Sequence, residues 1–236
     1  MRVAIADDEP EVLAEVATVV VAAGHEVDSF RNGIDLQNAL KRETYDVVLL
    51  DWNMPGRTGL EIVSWASEDL DTAPPFILLT SRRDKGEIVR GLEAGATDYI
   101  VKPESHEVIL ARIEAAGRRN ERSIKDRFAT FGGYKFDQLE STLEKEGATI
   151  ALTAKEYQLA LVFFQNIDRP LSRGYLFSRV WGGNAALETR TIDMHVSRLR
   201  SKLELKPHNG YVIRTVFGFG YRMDSFVEDM EMREAS

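Results

Sequence analysis

Residues 45–56 read Tyr45-Asp46-Val47-Val48-Leu49-Leu50-Asp51-Trp52-Asn53-Met54-Pro55-Gly56, an apolar run that stops at a carboxylate and then turns. A short apolar run bounded by Asn, Pro and Gly is typical of a strand that is buried on both faces, as in a parallel sheet covered by helices. Asp51 then ends this strand at the carboxyl edge of the sheet, where open α/β sheets bind their ligands. Asp51 is therefore the first candidate functional residue.

Three further apolar stretches also lead into polar side chains, which are Asp7 and Asp8, Thr80, and Lys102. If these strands lie side by side, the polar residues meet Asp51 at one edge of the sheet. Clustered carboxylates stay ionised together only beside a cation, and oxygen ligands without Cys or His favour Mg²⁺. The pattern predicts a magnesium site with a lysine next to it.

The lysine and the hydroxyl suit a phosphoryl group. Lys102 offers a point charge and Thr80 a hydroxyl donor to phosphoryl oxygens, and Asp51 is the expected nucleophile that forms an aspartyl phosphate. Taken singly, each of these residues has a simpler structural explanation. Asp7-Asp8 can cap a helix, Thr80 can be an ordinary hydroxyl at the end of a strand, and Lys102 can be an ordinary surface lysine. Their joint position at strand ends favours the phosphoryl site.

The order of predicted elements indicates two domains in the 236 residues. Residues 1–120 alternate five strands with five helices, which predicts a doubly wound parallel sheet of the α/β class. A stretch poor in apolar residues is predicted to form a linker over 121–127. Short alternating strands, a helix-capping box, three helices and a closing hairpin predict an α+β winged-helix domain over 128–224, followed by an acidic tail over 225–236.

Composition narrows the class of protein. The chain has no cysteine, which excludes disulfides and thiol catalysis, and its four histidines are scattered. No apolar run reaches the roughly 18 to 20 residues of a membrane span. The N-terminus has no basic region leading into an apolar core, so no secretory signal is predicted. We expect a cytoplasmic protein that has no association with a membrane.

The net charge of −8 is unevenly distributed. Residues 1–120 contain 13 basic residues (Lys and Arg) and 22 acidic residues (Asp and Glu), a net charge of −9. Residues 169–222 contain 10 basic and 3 acidic residues, a net charge of +7. Such a basic segment is either a solvated face or a surface for the phosphate backbone of nucleic acid, and its place in an acidic chain favours the second interpretation.

The third helix of the second domain has two distinct faces. Its apolar residues share one face and are Ile192, Val196, Leu199 and Leu203. The opposite face carries Arg190, Thr191, Met194, Ser197, Arg198 and Ser201 and is predicted to fit the major groove, where the first five of these residues read bases. Four basic residues are predicted to bind DNA phosphates, and these are Arg200, Lys202, Arg173 and Arg214.

Both halves of the chain resemble parts of one family. Residues 1–120 resemble the receiver domains of two-component signalling in the motifs Asp7-Asp8, Asp51 to Gly56, Thr80-Ser81, Gly95 to Tyr99 and Lys102-Pro103. Residues from about 127 to 223 resemble the winged-helix effector of the OmpR/PhoB type in the segments Arg190 to Arg200 and Thr215 to Arg222. The chain thus resembles a two-component response regulator with a flavodoxin-like receiver.

The resemblance implies roles for the strand-end residues. By it, Asp51 accepts phosphate from a phosphohistidine of a sensor histidine kinase. Asp8, Asp51 and the backbone carbonyl of Asn53 bind Mg²⁺, and Asp7 acts through water. A protein of this kind is a regulator and not an enzyme.

The resemblance also implies a switch and a dimer. Thr80 and Tyr99 form the switch pair, and the Lys102–Pro103 peptide bond is cis. Homodimerisation through one face of the receiver involves, at the positions of this chain, Ile88, Leu92, Asp98, Val108 and Arg112. The dimer is expected to bind double-stranded DNA at paired half-sites, with RNA polymerase as a further candidate partner.

The sequence departs from the family pattern at several positions. Ile88 and Val108 stand where the dimer face usually has an ion pair, so the dimer is expected to depend less on phosphorylation. Phe217 stands at the tip of the wing, the closing hairpin that includes Thr215 to Arg222, where a basic residue usually enters the minor groove. Glu104 stands where an aromatic residue usually follows Lys-Pro, and nothing in the sequence explains it.

Two other functions use the same residues. A magnesium-dependent phosphohydrolase of the haloacid-dehalogenase kind also forms an aspartyl phosphate, but it requires a second carboxylate two residues after the nucleophile, where Asn53 stands. A constitutively dimeric regulator that is indifferent to the phosphorylation of Asp51 is the closer alternative. DNA binding and dimerisation of an Asp51→Asn variant distinguish this alternative from a phosphorylation-switched regulator.

Overall fold

The computed structural model of the protein describes residues 1–70, 72–80, 85–117, 127–182 and 189–226. The chain divides into two compact units, Met1–Asn120 and Glu121–Ser236. Residues 121–126 of the predicted linker and 227–236 of the predicted acidic tail lie outside the described residues. None of the helices in the described ranges is long and apolar enough to cross a membrane.

The N-terminal unit is a parallel sheet of five strands in the order β2-β1-β3-β4-β5. The strands are β1 (Arg2–Ala6), β2 (Glu26–Phe30), β3 (Val47–Asp51), β4 (Phe76–Thr80) and β5 (Asp98–Val101). The helices are α1 (Pro10–Ala22), α2 (Gly33–Leu40), α3 (Gly59–Asp69), α4 (Lys85–Glu93) and α5 (His106–Gly117). This order of strands confirms the predicted doubly wound, flavodoxin-like sheet.

The central strand β3 separates two layers of the core. Val47 and Leu49 pack with apolar residues of α1 and α5, whereas Val48 and Leu50 pack with residues of α2 and α3. All five residues of β3 are buried. Because both faces are covered, the apolar run continues without alternation until the strand ends at Asp51.

Close packing at the end of β3 holds the backbone of Asp51. The N-cap Thr58 starts α3, and the Gly59 N–H donates to the carbonyl oxygen of Trp52 at 2.9 Å. A Cβ atom at residue 59 would lie 2.4 Å from the carbonyl oxygen of Asp51. Only glycine permits this approach, so the start of α3 and the Asp51 backbone are positioned by one contact.

The described part of the C-terminal unit contains two antiparallel sheets and three helices. A four-stranded sheet consists of β6 (Phe128–Phe131), β7 (Tyr134–Asp137), β8 (Thr142–Lys145) and β9 (Ala148–Ile150). A three-stranded sheet in the order β10-β12-β11 consists of β10 (Leu171–Ser172), β11 (Tyr211–Val216) and β12 (Gly220–Ser225). The helices are α6 (Ala154–Gln165), α7 (Arg173–Trp181) and α8 (Thr189–Lys202).

This arrangement is the predicted winged helix with two additional strands. β6 adds an edge to the first sheet, and β10 pairs with β12, so that the predicted closing hairpin is one part of a larger sheet. β10 has only two residues, which is too short to show an alternating pattern in the sequence.

α8 packs on the core of this unit through the predicted stripe. Ile192, Val196 and Leu199 are completely buried, and Leu203 is nearly so, which confirms the expected buried face of the helix. The same core contains a group of packed aromatic rings around Phe164. The opposite face of α8 is left for solvent or a partner.

α6 begins with the predicted capping box. The Glu156 N–H donates to Thr153 Oγ1 at 3.3 Å, and the Thr153 N–H donates to Glu156 Oε2 at 2.8 Å. Two backbone donors at the start of the helix are thereby satisfied.

We expect Thr153→Ala to lower the free energy of unfolding of the C-terminal unit by about 1 kcal/mol, because an Ala N-cap leaves a backbone N–H without its partner. Urea unfolding followed by circular dichroism measures the change. Ser201→Ala, at an exposed position of α8, is the control. Equal stability of the two variants would show that this cap does not stabilise the unit.

Candidate functional site

Three predicted site residues meet at the carboxyl edge of the parallel sheet. Lys102 Nζ donates to Asp51 Oδ1 at 2.6 Å and to Asp7 Oδ2 at 2.7 Å. The three residues come from the ends of β1, β3 and β5, which the strand order brings to one edge. The predicted convergence of Asp7, Asp51 and Lys102 is therefore present in the structure.

Burial makes this contact electrostatically strong. Asp7 is 1% exposed and Asp51 is 8% exposed. Burial by itself lowers the pKa of Lys102, but the hydrogen bonds and charges of Asp51 and Asp7 outweigh it, so the pKa of Lys102 is raised. Burial raises the pKa of Asp51, and the Lys102 ammonium opposes that rise. The lysine thus compensates two buried carboxylates that would otherwise repel each other.

Backbone donors hold the remaining carboxylate oxygens. The Asn53 N–H donates to Asp51 Oδ2 at 2.7 Å, and the Glu9 N–H donates to Asp7 Oδ1 at 3.0 Å. Each donor lies two residues after its acceptor, so the loop after each strand fixes the orientation of its own carboxylate. The backbone of the two loops thus holds both carboxylates in place.

The other predicted residues surround this centre. Thr80 is buried at the end of β4, and its carbonyl oxygen accepts from the Lys102 N–H at 2.7 Å. Tyr99 on β5 is half-buried and packs against the core. Asp8 and Asn53 are exposed beside the buried carboxylates. The Lys102–Pro103 peptide bond is cis, as the resemblance implies.

The donor chemistry of the edge fits Mg²⁺. No cluster of three or more Asp, Glu or His side chains ready to hold a metal occurs within the described residues. Mg²⁺ usually keeps several waters and takes one or two carboxylates, however, and does not require a complete cage of side chains. Asp51 and Asp8, with the carbonyl oxygen of Asn53, are the oxygen donors that would hold such an ion.

The predicted dimer face contains both apolar and paired charged residues. Leu92 on α4 is 43% exposed, and Ile88 and Val108 are half-buried. Arg112 forms an ion pair with Asp98 within the same chain. The exposed apolar surface on α4 also includes Val89, which sequence reasoning did not identify.

The outward face of α8 presents most of the predicted base-reading residues. Met194 is 45% exposed, Ser197 and Arg198 are exposed, and Thr191 is half-buried. The side chain of Arg190 lies outside the described residues.

Two predicted phosphate-binding residues have partners inside the protein instead. The Arg200 guanidinium donates twice to the carbonyl oxygen of Ile213, at 2.8 and 3.0 Å. Lys202 Nζ donates to the buried carboxylate of Glu156 at 2.7 Å. Helical periodicity placed both residues on α8 correctly but carries no information about acceptors on distant segments. Arg200 and Lys202 therefore have acceptors within the protein that the sequence did not reveal, and their contact with DNA phosphates stays a prediction.

The two remaining basic residues are only partly engaged. Arg173 lies near Asp193, with Nε 3.4 Å from Oδ1, and its guanidinium stands over the ring of Tyr221. Arg214 is paired with Asp224, but its side chain is 57% exposed. The acidic partners of these arginines were not identified in the sequence, because no local spacing signals such long-range pairs.

Comparison with known proteins supports the division into two parts. The family described as "Response regulator receiver domain" matches residues 3–114, and the family described as "Transcriptional regulatory protein, C terminal" matches residues 147–223. The matches cover the parallel sheet with its helices and most of the winged helix, including α8 and the wing.

Similar proteins match along nearly the whole chain. The phosphate regulon regulator PhoB of Pseudomonas aeruginosa is 33% identical over 94% of this chain and 96% of its own length. The response regulator MtrA of Mycolicibacterium smegmatis is 32% identical with the same coverage. The solved structure of the response regulator DrrB of Thermotoga maritima is 30% identical, covers 95% of this chain and 99% of its own, and has a TM-score of 0.45.

The chain belongs to the two-component response regulators of the OmpR/PhoB type. It is accordingly a DNA-binding transcription regulator with a receiver domain and a winged-helix domain.

We expect Lys102→Met to destabilise the receiver by about 2–3 kcal/mol, because it leaves two buried carboxylates without their cation. The full cost of breaking a buried ion pair is larger, but the Lys102 side chain is partly exposed. Added Mg²⁺ should raise the melting temperature of the variant more than that of the wild type, since the cation replaces the missing charge. Calorimetry with and without Mg²⁺ measures both effects, and a variant insensitive to Mg²⁺ would contradict the placement of the metal.

Proposed function

We propose that the protein accepts a phosphoryl group on Asp51 from a sensor histidine kinase and that this modification controls DNA binding by a homodimer in the cytoplasm. The observation that carries the proposal is the Lys102 ammonium held between Asp51 and Asp7. A buried carboxylate with an adjacent cation is equipped to receive an anionic group and to neutralise the charge that arrives with it.

The transfer is a substitution at phosphorus. A carboxylate oxygen of Asp51 forms the new P–O bond, the P–N bond of the phosphohistidine breaks, and the imidazole leaves with the electron pair. The Asn53 N–H fixes the orientation of the Asp51 carboxylate. Asp8, Asp51 and the Asn53 carbonyl oxygen would hold Mg²⁺, with Asp7 acting through water, and the bound ion would further neutralise the charge on the phosphoryl oxygens.

The switch begins when Lys102 exchanges one partner for another. The Lys102 ammonium, which donates to the Asp51 carboxylate, donates to an oxygen of the phosphoryl group instead. The hydroxyl of Thr80 donates to a further phosphoryl oxygen. The register pairs Leu78 with Tyr99, so Tyr99 stands two residues from Thr80 along the neighbouring strands. When Thr80 moves toward the phosphoryl group, it leaves space into which the side chain of Tyr99 can rotate.

The readout is a change in dimerisation and DNA binding. Ile88, Leu92 and Val108, together with Asp98 and Arg112, form the proposed dimer face, and the partly exposed apolar side chains on α4 support it. These apolar positions also favour the alternative of a dimer that forms without phosphorylation. Paired half-sites in DNA match a two-fold dimer, and RNA polymerase is a proposed further partner.

The contacts to DNA follow from α8. We assign base reading to the exposed face with Arg190, Thr191, Met194, Ser197 and Arg198, and phosphate contacts to Arg173 and Arg214. Arg200 and Lys202 are better explained by their partners within the protein.

We expect wild type incubated with acetyl phosphate and Mg²⁺ to become phosphorylated, and Asp51→Asn to remain unmodified because its amide is not a nucleophile. Phosphate-affinity electrophoresis detects the product, and EDTA should abolish it. Asp69→Asn, at an exposed carboxylate at the end of α3, is the matched control and should behave as wild type. Equal dimerisation and DNA affinity of phosphorylated and unmodified protein would favour the constitutive alternative.

We expect Arg198→Ala to weaken binding to a duplex selected by the wild type from random sequences by about 1–3 kcal/mol, because a base contact is lost. Binding to an unselected duplex should change much less. Fluorescence anisotropy measures both affinities. Arg127→Ala removes an exposed charge of the same unit outside α8 and is the control. Equal losses on both duplexes would instead assign Arg198 to the phosphate backbone.

A further inference from the structure

The tip of the wing exposes a single aromatic ring. Phe217 is 101% exposed, the highest exposure among the large apolar residues of the described ranges. Such a ring contributes nothing to the folding of its own unit by burial. Single exposed apolar residues are common on protein surfaces, so exposure alone does not assign a function. The surroundings of Phe217 are what distinguish it.

The turn that carries Phe217 is tight. The Phe219 N–H donates to the carbonyl oxygen of Val216 at 3.1 Å, and Gly218 has a φ of +73°. This is a four-residue turn in which the third position needs positive φ, and glycine satisfies that need. Phe217 occupies the second position, so its side chain projects from a defined backbone.

The wing is also attached firmly to its unit. β10 pairs with β12 at the base of the turn, where a Cβ atom on Gly220 would lie 2.1 Å from the carbonyl oxygen of Leu171. Arg200 of α8 donates to the carbonyl oxygen of Ile213 on β11. The helix that reads bases and the hairpin that carries Phe217 are therefore joined by direct hydrogen bonds.

The wing lies within a basic segment. Residues 169–222 have a net charge of +7; on β11 the turn is preceded by the exposed Thr215 and by Arg214, which is 57% exposed although it pairs with Asp224. A polyanion is therefore the partner that the surrounding charge favours, in preference to another apolar protein surface. An uncharged ring at the tip adds no attraction to phosphates, so on DNA its contribution would come from contact with sugars or bases.

We propose that Phe217 acts as an apolar wedge that enters the minor groove of DNA and partly unstacks a base step, while α8 occupies the adjacent major groove. This inference rests on the proposed placement of α8 on DNA. Proteins that insert apolar side chains in this way bend the duplex and favour steps that unstack easily, such as pyrimidine–purine steps. The wedge would therefore favour binding sites whose base steps are easily unstacked and bent.

The test uses the full chain and a duplex that the wild type selects from random sequences. Phe217→Ala should weaken binding to this duplex at least about fivefold, the low end of the range for loss of one aromatic–base stack. The bend, measured by energy transfer between dyes at the two ends of the duplex, should decrease. Phe217→Leu should retain more of the bend than Phe217→Ala, because a leucine can also serve as a wedge.

Salt dependence separates a wedge from a phosphate contact. Phe217→Ala should leave the slope of log affinity against log salt unchanged, whereas Phe217→Arg should steepen it by about one unit per added phosphate contact. Leu139→Ala, at a 71% exposed apolar residue outside the wing, is the control and should change neither affinity nor bend. Unchanged melting temperatures show that the variants are folded.

Wild-type bending and affinity in Phe217→Ala would overturn the wedge while leaving the proposed DNA-binding surface intact. A bend that is unchanged while only cooperativity between two bound copies falls would assign Phe217 to a protein contact, and would likewise overturn it. Failure of the wild type to enrich any sequence would refute the proposed DNA-binding surface and the wedge together.

Discussion

The ammonium of Lys102 between Asp7 and Asp51 is the interaction on which the receiver depends. The parallel sheet brings two carboxylates to one edge and buries both, and without a cation their repulsion would oppose the fold. The same cation is within reach of any anionic group that modifies Asp51. Under the proposed function, a charge that stabilises the resting receiver would also detect the phosphoryl group, and the change of partner would link modification to conformation.

The winged-helix unit uses basic residues in two distinct ways. Arg200 and Lys202 join α8 to β11 and to the start of α6, so they organise the unit internally. Arg198, on the exposed face of α8, is left for a partner. Because hydrogen bonds join α8 to β11, the proposed DNA contacts of the helix and the wing would be made in a fixed relation. Sequence recognition can then combine direct contact with the shape and deformability of the duplex.

Much of this organisation is predictable from the sequence. The uninterrupted run of Val47 to Leu50 is required for a strand covered on both faces, and the polar residues at strand ends share one edge because parallel strands align them. Periodicity also identified the buried face of α8. It did not reveal that Arg200 and Lys202 turn back to acceptors 13 and 46 residues away. Helix periodicity specifies a face, whereas the acceptor of a long side chain depends on the tertiary fold. The two-residue strand β10 was not predicted for a similar reason, since only its pairing with β12 defines it.

The most direct measurement of the central claim is the ¹⁵N resonance of the Lys102 side chain in the full protein. We expect a resonance protected from rapid proton exchange before phosphorylation, because the ammonium is bound by two buried carboxylates. Addition of acetyl phosphate and Mg²⁺ should shift this resonance in the wild type and leave it unchanged in Asp51→Asn. A Lys102 resonance that stays in place while Asp51 becomes phosphorylated would contradict the account.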